Sequence, residues 1–343
     1  MVTNFAIGAL AKIAAGEGLS EGEMHDALAA MTGGDASLAQ MGAFLMGLRV
    51  RGETVSEITG AARLLRSKML GVVVPEGAVD IVGTGGDGHN TYNVSTCAAF
   101  VAAGAGLRVA KHGNRSVSSL SGASDVLAAL GVKLDCSPET TSRAVSEAGV
   151  GFMWAPMHHP AMKVWGPVRA DLGVRTLFNL LGPLCNPAGV TRQVVGVFSP
   201  RWVEPVAEVL RNLGSERVWV VHGHDGLDEL STTGPTMVAE LHCGAIRVFE
   251  VTPEEVGLAR VSLSELKGGD ASANAVALRD VLSGKPGPYR DIVVLNAASA
   301  LVVGGRAATL LEGVAQAKAA IDTGAAERAL ARLVAVTAEA GSA

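Results

Sequence analysis

The stretch from Asp80 to Thr96, DIVGTGGDGHNTYNVST, restricts the possible folds of this chain more than any other. It begins as an apolar strand, places four glycines around the carboxylate of Asp87, and ends in small hydroxyl and amide side chains. Because glycine destabilises regular structure, so dense a group indicates a loop whose backbone is approached closely. A strand, a glycine-rich loop and a helix N-terminus in succession predict an anion site, since amide N–H groups and the helix dipole converge there.

The chemistry of this loop narrows the type of anion. Its spacing matches neither GxGxxG nor GxxxxGK[ST], so neither the usual dinucleotide site nor a P-loop is predicted. Asp87 would repel a bare phosphate, whereas a ligand that also carries hydroxyls or metal-bound oxygens, such as a ribose pyrophosphate, fits a carboxylate. The alternative is a tight turn in an α/β fold.

The remaining pattern predicts two domains in the 343 residues. Residues 1–72 look entirely helical, with capping boxes beginning at Ser20 and at Thr54. Residues 73–343 begin with short β-branched runs that alternate with helices, which is typical of an α/β domain with a mostly parallel central sheet. A helical segment near 160–185 is expected to pack on the first domain. Ligands of such sheets bind at the carboxyl ends of the strands, where the polar motifs lie.

Composition excludes several classes of protein. Charged residues make up 18% and the net charge is −5 without any basic block, so no nucleic acid or membrane partner is expected. The four cysteines are widely separated, which speaks against a disulfide framework or a zinc site and favours a reducing compartment. No secretory signal is evident, and the apolar run from Ile292 contains Asn296 and reads as a buried helix. A cytoplasmic protein is expected.

Two further loops at strand ends carry charge. KHGNRSVSS, residues 111–119, supplies Lys111 and several donors, as a doubly charged phosphate requires. GLDEL supplies Asp228 and Glu229 just past the strand-like RVWVVHG, and one or two carboxylates with substrate phosphates are what Mg²⁺ prefers. Solvated polar surface is the alternative for both loops, and a helix N-terminus is a further alternative for the two acids. The loop of residues 111–119 and the glycine-rich loop lie at consecutive strand ends, so each makes the functional interpretation of the other stronger.

The segment HHPAMKVWGPVRADLGVRTLFNLLGPLCNP, from His158, mixes aromatic, basic and amide groups. Arg169 or Arg175 is a candidate for a bidentate pair with a carboxylate, against the alternative of an ordinary helix-surface arginine. His158 and His159 precede a proline, and simple packing or capping is their alternative role.

Together these segments resemble the anthranilate phosphoribosyltransferase family of tryptophan biosynthesis. The resemblance is collinear from about residue 80 to residue 235. It implies a homodimer with the active site in the cleft between the two domains, and transfer of the 5-phosphoribosyl group from phosphoribosyl pyrophosphate to the amine of anthranilate. The phosphoribosyl donor would be bound by Gly83, Gly86, Asp87, Thr91, Asn93, Val94, Ser95, Thr96, Lys111, His112, Gly113, Asn114, Arg115, Ser116, Val117, Ser118, Ser119 and Ala123.

The resemblance also implies the other ligand sets. Anthranilate would be bound by Gly83, Asn114, Arg169, His112 and His159. Mg²⁺, as two ions per subunit, would be held by Ser95, Asp228 and Glu229. The amine of anthranilate is already neutral at pH 7, so no general base is expected, and Lys111 would act electrostatically on the leaving pyrophosphate.

Two other functions remain open at this point. A pyrimidine nucleoside phosphorylase shares the helical-plus-α/β architecture but needs no Mg²⁺ pair, and the KHGNR and GLDEL segments argue against it. A non-catalytic nucleic-acid-binding paralogue would carry a basic groove, which the net charge of −5 disfavours.

Overall fold

The structure is a computed structural model, and it describes residues 5–115 and 120–339. The chain begins with four helices joined by short loops: α1 (Phe5–Ala14), α2 (Glu21–Gly33), α3 (Leu38–Arg51) and α4 (Val55–Lys68). The capping boxes predicted at Ser20 and Thr54 are confirmed, and Ser37 caps α3 in the same way. Each box pairs two backbone N–H groups that the first helical turn leaves free.

A seven-stranded sheet follows, in the order β3-β2-β1-β4-β5-β6-β7. The strands are β1 (Val79–Gly83), β2 (Val109–Gly113), β3 (Val150–Trp154), β4 (Arg192–Gly196), β5 (Arg217–Gly223), β6 (Thr236–His242) and β7 (Ala245–Val251). The first five strands are parallel to one another, whereas β6 is antiparallel to β5 and β7 is antiparallel to β6. The predicted fold class, a helical domain plus an α/β domain with a mostly parallel sheet, is confirmed.

The final hairpin of the sheet is not evident from the sequence pattern. Strand β7 reads AIRVFEV and is largely exposed, so it lacks the continuous apolar run that marks the buried parallel strands. Its turn lies at Cys243 and Gly244, both with positive φ, a geometry that suits a two-residue hairpin loop.

Helices cover both faces of the sheet. They are α5 (Val94–Gly104), α6 (Ala123–Ala129), α7 (Pro138–Ala148), α8 (Ala155–His158), α9 (Trp165–Leu172), α10 (Phe178–Leu184), α11 (Val203–Asn212), α12 (Ala271–Leu282), α13 (Pro288–Val303), α14 (Leu310–Asp322) and α15 (Ala325–Glu339). Since side chains alternate along a strand, Val79 and Ile81 join the core under α5 and α13, whereas Val82 joins the opposite core. The run from Ile292 lies in α13 and is buried, as predicted.

The opposite core is continuous with that of the first four helices. Trp165 of α9 is fully buried, its ring centre lies 4.9 Å from that of Phe178 of α10, and its Nε1 donates to Thr32 Oγ1 of α2 at 3.1 Å. The segment near 160–185 therefore links the helical bundle to the sheet. The boundary between residues 1–72 and 73–343 stays a prediction. Across residues 5–115 and 120–339, no helix combines the length and the apolar character needed to cross a bilayer.

Candidate active site

The candidate site lies at the carboxyl ends of β1 and β4, where the strand order changes direction. In open α/β sheets this switch point is the usual place for a ligand, because loops diverge there and leave a crevice. The predicted loops after β1 and after β5 meet at this point. The amide of Gly85 donates to Asp228 Oδ2 at 2.7 Å, and the amide of Ser95 donates to Glu229 Oε1 at 3.2 Å.

The glycines at the strand ends have a packing reason. A Cβ atom on Gly83 would overlap the carboxylate of Asp228, and one on Gly196 would overlap the Asp228 backbone. What approaches the chain so closely at Gly83 is therefore the acidic loop of the protein itself. Gly85 and Gly86 have φ of 65° and 79°, a left-handed conformation that side chains disfavour, so the turn itself requires them.

Asp228 and Glu229 form an acidic pair whose surroundings disfavour the ionised form of both carboxyl groups. Burial raises the pKa of Asp228, and Asp87 raises it further. Burial likewise raises the pKa of Glu229, and Asp228 adds to that effect. Lys111 offsets part of this cost. A bound cation would offset the rest, so the donor set suits a hard divalent ion.

The protein alone provides too few ligands to enclose such an ion. Among residues 5–115 and 120–339 there is no group of three or more His, Cys, Asp or Glu side chains arranged to hold a metal. Two carboxylates and the Ser95 hydroxyl are left as donors, which matches the way Mg²⁺ is bound jointly by protein carboxylates and substrate phosphates.

Lys111 occupies the position predicted for a phosphate-binding charge. Its side chain is 3% exposed, and Nζ donates to Ile81 O at 2.5 Å and to Ser95 Oγ at 3.3 Å. Burial lowers the pKa of Lys111, while the nearby carboxylates, Asp80 above all, raise it. The ammonium is thus fixed between the end of β1 and the first turn of α5.

Two histidines meet on the other side of the sheet. His112 Nε2 lies 3.2 Å from His159 Nε2, and His112 Nδ1 lies 3.2 Å from the carbonyl oxygen of Gly182. Burial lowers the pKa of His112 to about 3 and that of His159 to about 4, so both rings are neutral at pH 7. The pair lines the junction between β2 and the 160–185 segment.

Arg169 lies on α9 with its guanidinium 5.5 Å from the centre of the Phe178 ring. It is half-buried, and burial lowers its pKa. In the described part of the chain its guanidinium forms no ion pair or hydrogen bond, so its fork of donors is free to take a carboxylate.

The loop after β2 is only partly described. Asn114 and Arg115 are exposed, and Arg115 lies 3.7 Å from Asp125 Oδ1 and 5.7 Å from the Trp154 ring centre. Gly113 ends β2 and Ala123 begins α6, so both border this loop. Four predicted donor-binding residues, Ser116, Val117, Ser118 and Ser119, lie outside the described residues.

After the glycine-rich loop, the Thr91 backbone and the Asn93 side chain have partners in the fold, whereas the buried hydroxyl of Thr96 has none among the described residues. Thr91 forms an isolated bridge with Lys267. Asn93, at the N-cap of α5, donates from Nδ2 to Ser121 O at 3.2 Å and accepts from Asn274 Nδ2 at 3.0 Å. Val94 and Thr96 are buried in the first turn of α5. These contacts therefore fix the start of α5 beside the glycine-rich loop.

The sequence pattern did not predict the buried polar residues that hydrogen-bond to backbone groups beside the candidate site. Asp80 is fully buried and accepts from His112 N at 3.2 Å and from Asn186 Nδ2 at 2.7 Å, and burial raises its pKa to about 6. Asn296 of α13 is fully buried as well and brackets Leu230, accepting from its amide at 3.0 Å and donating to its carbonyl at 2.8 Å. A polar residue inside an apolar run is the signal that marks each of them.

Comparison with known proteins shows similarity over nearly the whole chain. Residues 75–327 match the glycosyl transferase family a/b domain, and residues 7–69 match the helical bundle domain of the same family. An anthranilate phosphoribosyltransferase of Rhodopseudomonas palustris (strain TIE-1) is 63% identical over 331 residues, covering 96% of this chain and 98% of the relative.

Solved structures agree with this result. The anthranilate phosphoribosyltransferase of Thermus thermophilus is 45% identical, with a TM-score of 0.91 and coverage of 96% of this chain and 99% of that one. The enzyme from Saccharomyces cerevisiae, solved in complex with PRPP and Mg, is 31% identical, with a TM-score of 0.89 and coverage of 97% and 98%. Since all of these relatives are anthranilate phosphoribosyltransferases, the comparisons favour that activity over a nucleoside phosphorylase or a nucleic-acid-binding paralogue.

The two hydrogen bonds between the Asn296 side chain and the Leu230 backbone predict the effect of a substitution at Asn296. Replacing Asn296→Leu leaves the amide and carbonyl of Leu230 unpaired in the interior, so we expect a loss of about 2 kcal/mol or more of unfolding free energy. Since Leu230 directly follows the acidic pair, affinity for a divalent cation should fall as well. Chemical denaturation and calorimetric Mg²⁺ titration measure the two effects.

Ser299→Ala is the matched control, because Ser299 is equally buried and donates to Asn296 O at 2.7 Å without contacting Leu230. It should leave cation affinity unchanged. Wild-type stability and cation affinity in the Asn296→Leu protein would show that the bracket has no such role.

Proposed function

This chain belongs to the anthranilate phosphoribosyltransferase family of glycosyltransferases, and from that membership we propose that it forms N-(5-phosphoribosyl)anthranilate and pyrophosphate. The substrates are phosphoribosyl pyrophosphate and anthranilate, and the reaction belongs to tryptophan biosynthesis. The observation that carries this proposal is the meeting of Lys111, Asp228 and Glu229 at the glycine-rich end of β1. A buried cation and two half-buried acids serve a polyanion that arrives with a divalent ion.

The donor site is proposed around this cluster. Lys111 has three N–H donors and uses two of them within the described part of the chain, which leaves one for a phosphate oxygen. The proposed set is the one that the family resemblance implies: Gly83, Gly86, Asp87, Thr91, residues 93–96, residues 111–119 and Ala123.

Mg²⁺ is proposed to be held by Ser95, Asp228 and Glu229, as two ions per subunit. When bound, it supplies charge neutralisation for the leaving pyrophosphate. The raised pKa of both carboxyls supports this site, because a cation would offset the burial and the repulsion that raise it.

Anthranilate is proposed to bind on the opposite face of β2, at Gly83, Asn114, Arg169, His112 and His159. The guanidinium of Arg169 stacks on Phe178 but has no ion-pair or hydrogen-bond partner in the described residues, and it would take the carboxylate of the acceptor. The two neutral imidazoles add no charge that would compete for that carboxylate.

The chain then acts mainly by placement and electrostatics. As the C1–O bond of the donor breaks, negative charge gathers on the pyrophosphate, where the prepositioned ammonium of Lys111 stabilises it. The acceptor amine is neutral at pH 7 and needs no deprotonation before it attacks. Holding its nitrogen beside C1 removes the entropic cost of the encounter.

We further infer a homodimer in the cytoplasm. The homodimer is what the family resemblance implies. All four cysteines are free thiols, which supports a reducing compartment. Sedimentation velocity should give a particle of twice the 34.9 kDa chain mass, and a monomer at micromolar concentration would contradict the dimer.

The activity is tested with both substrates and Mg²⁺. We expect the fluorescence of anthranilate to decrease as it is consumed, and EDTA to stop the decrease. The double change Asp228→Asn and Glu229→Gln should lower kcat/KM by roughly 100-fold or more. The exposed α15 variant Glu327→Gln, which also removes a negative charge, should behave as wild type.

Two results would contradict this function. One is a wild-type protein that leaves anthranilate unchanged when both substrates and Mg²⁺ are present. The other is metal-independent phosphorolysis of a pyrimidine nucleoside, which would establish the competing activity.

The role of Arg169 is tested by Arg169→Ala. Loss of a charge-assisted pair should raise the KM for anthranilate by roughly 10- to 100-fold and change the KM for the phosphoribosyl donor far less. Steady-state kinetics with each substrate varied in turn separates the two constants. If both KM values stay at the wild-type level, Arg169 does not bind the acceptor.

A further inference from the structure

Arg175 lies in the loop between α9 and α10, and it reaches the glycine-rich loop at the end of β1. A Cβ built on Gly86 would come within 3.3 Å of Arg175 Nε and 3.4 Å of Nη2. We propose that Arg175 is a second cationic contact for the pyrophosphate of the donor, supplied by the 160–185 segment. The inference rests on the proposed function and adds a residue that the family resemblance does not assign to any ligand.

The orientation of the side chain is set by aromatic stacking. The guanidinium carbon lies 4.7 Å from the centre of the Phe198 ring. Phe198 is anchored to the same loop, because its amide donates to Thr84 Oγ1 at 3.0 Å and the Thr84 amide donates to Gly196 O at 2.9 Å. A guanidinium stacked on an aromatic face keeps its N–H edge free for a planar or tetrahedral anion.

The guanidinium has no anionic partner of its own. Within residues 5–115 and 120–339, the Arg175 side chain forms no ion pair or hydrogen bond, although Asp87 follows Gly86 directly. The side chain is exposed, so stacking alone contributes only modestly to stability. An arginine without an ion pair beside a glycine-rich loop is arranged for a ligand rather than for the fold.

Charge balance at the site points the same way. Asp87, Asp228 and Glu229 place three carboxylates at the end of the sheet, and Lys111 is the one buried cation facing them among the described residues. A pyrophosphate adds further negative charge, and Arg175 adds a fork of donors from the side opposite Lys111's strand. The pyrophosphate is favoured over the 5-phosphate because Gly85, which directly precedes Gly86, donates to Asp228, one of the two acids that would hold the cation.

Arg169 and Arg175 therefore have different surroundings and different tasks. Arg169 is half-buried against Phe178, on the α9 side, whereas Arg175 is exposed against Phe198, on the glycine-rich loop. The first suits the carboxylate of the acceptor, and the second suits the phosphates of the donor.

The test compares Arg175→Gln with Arg211→Gln, an exposed arginine at the far end of α11. We expect Arg175→Gln to raise the KM for the donor by roughly 10- to 100-fold while the KM for anthranilate stays within about twofold of wild type. Arg211→Gln should change neither constant. Thermal denaturation of both variants should match wild type, because both side chains are exposed.

Calorimetry without catalysis distinguishes binding of the donor's pyrophosphate from binding of its 5-phosphate. In the presence of Mg²⁺, binding of inorganic pyrophosphate should weaken in Arg175→Gln by a similar factor, and binding of ribose 5-phosphate should not change. Weakened binding of ribose 5-phosphate alone, a raised KM for anthranilate alone, or wild-type pyrophosphate affinity would each overturn the proposal. A wild-type enzyme without transferase activity would instead refute the proposed function, and the pyrophosphate titration would still report on Arg175.

Discussion

The close contact between Asp228 and the two glycine strand ends, Gly83 and Gly196, is the constraint on which the rest of the site depends. A single methyl group at either glycine would overlap the acidic loop, so no larger residue permits this approach. The contact brings the loop after β5 across β4 to β1, and two amide hydrogen bonds then fix the two carboxylates. The glycines thus determine where the negative charge lies, and the anion site forms around it.

That placement brings three carboxylates of like charge close together. Burial and the neighbouring carboxylates raise the pKa of Asp228 and Glu229, and Lys111 and a bound cation are needed to balance them. The scaffold holds this arrangement in place, since Asn296 brackets the acidic loop and Asn186 pairs with Asp80 beneath β2. A buried polar network of this kind keeps a single geometry, because each broken pair leaves a group unsatisfied.

Strand β2 directs Lys111 and His112 to opposite faces of the sheet. Successive side chains on a strand point to opposite faces, so Lys111 reaches α5 while His112 reaches α10 and His159. The sites proposed for the donor and for the acceptor therefore lie on opposite faces of the sheet. The 160–185 segment packs on both the helical bundle and the sheet, and it carries Arg169, which lies against Phe178, and Arg175, which lies beside Gly86.

The amino-acid sequence alone determined the helical start, the parallel strands and the residue types of the site, because periodicity, capping residues and glycine placement are local properties. It predicted Lys111, Asp228 and Glu229 as site residues for the same reason: each lies in, or shortly after, a recognisable strand. Only the tertiary structure decided that Gly83 accommodates Asp228, that two histidines share one contact, and that Asn296 supports Leu230. These pairs join residues far apart in the chain, and their contact depends on strand order and loop packing, which no local pattern encodes.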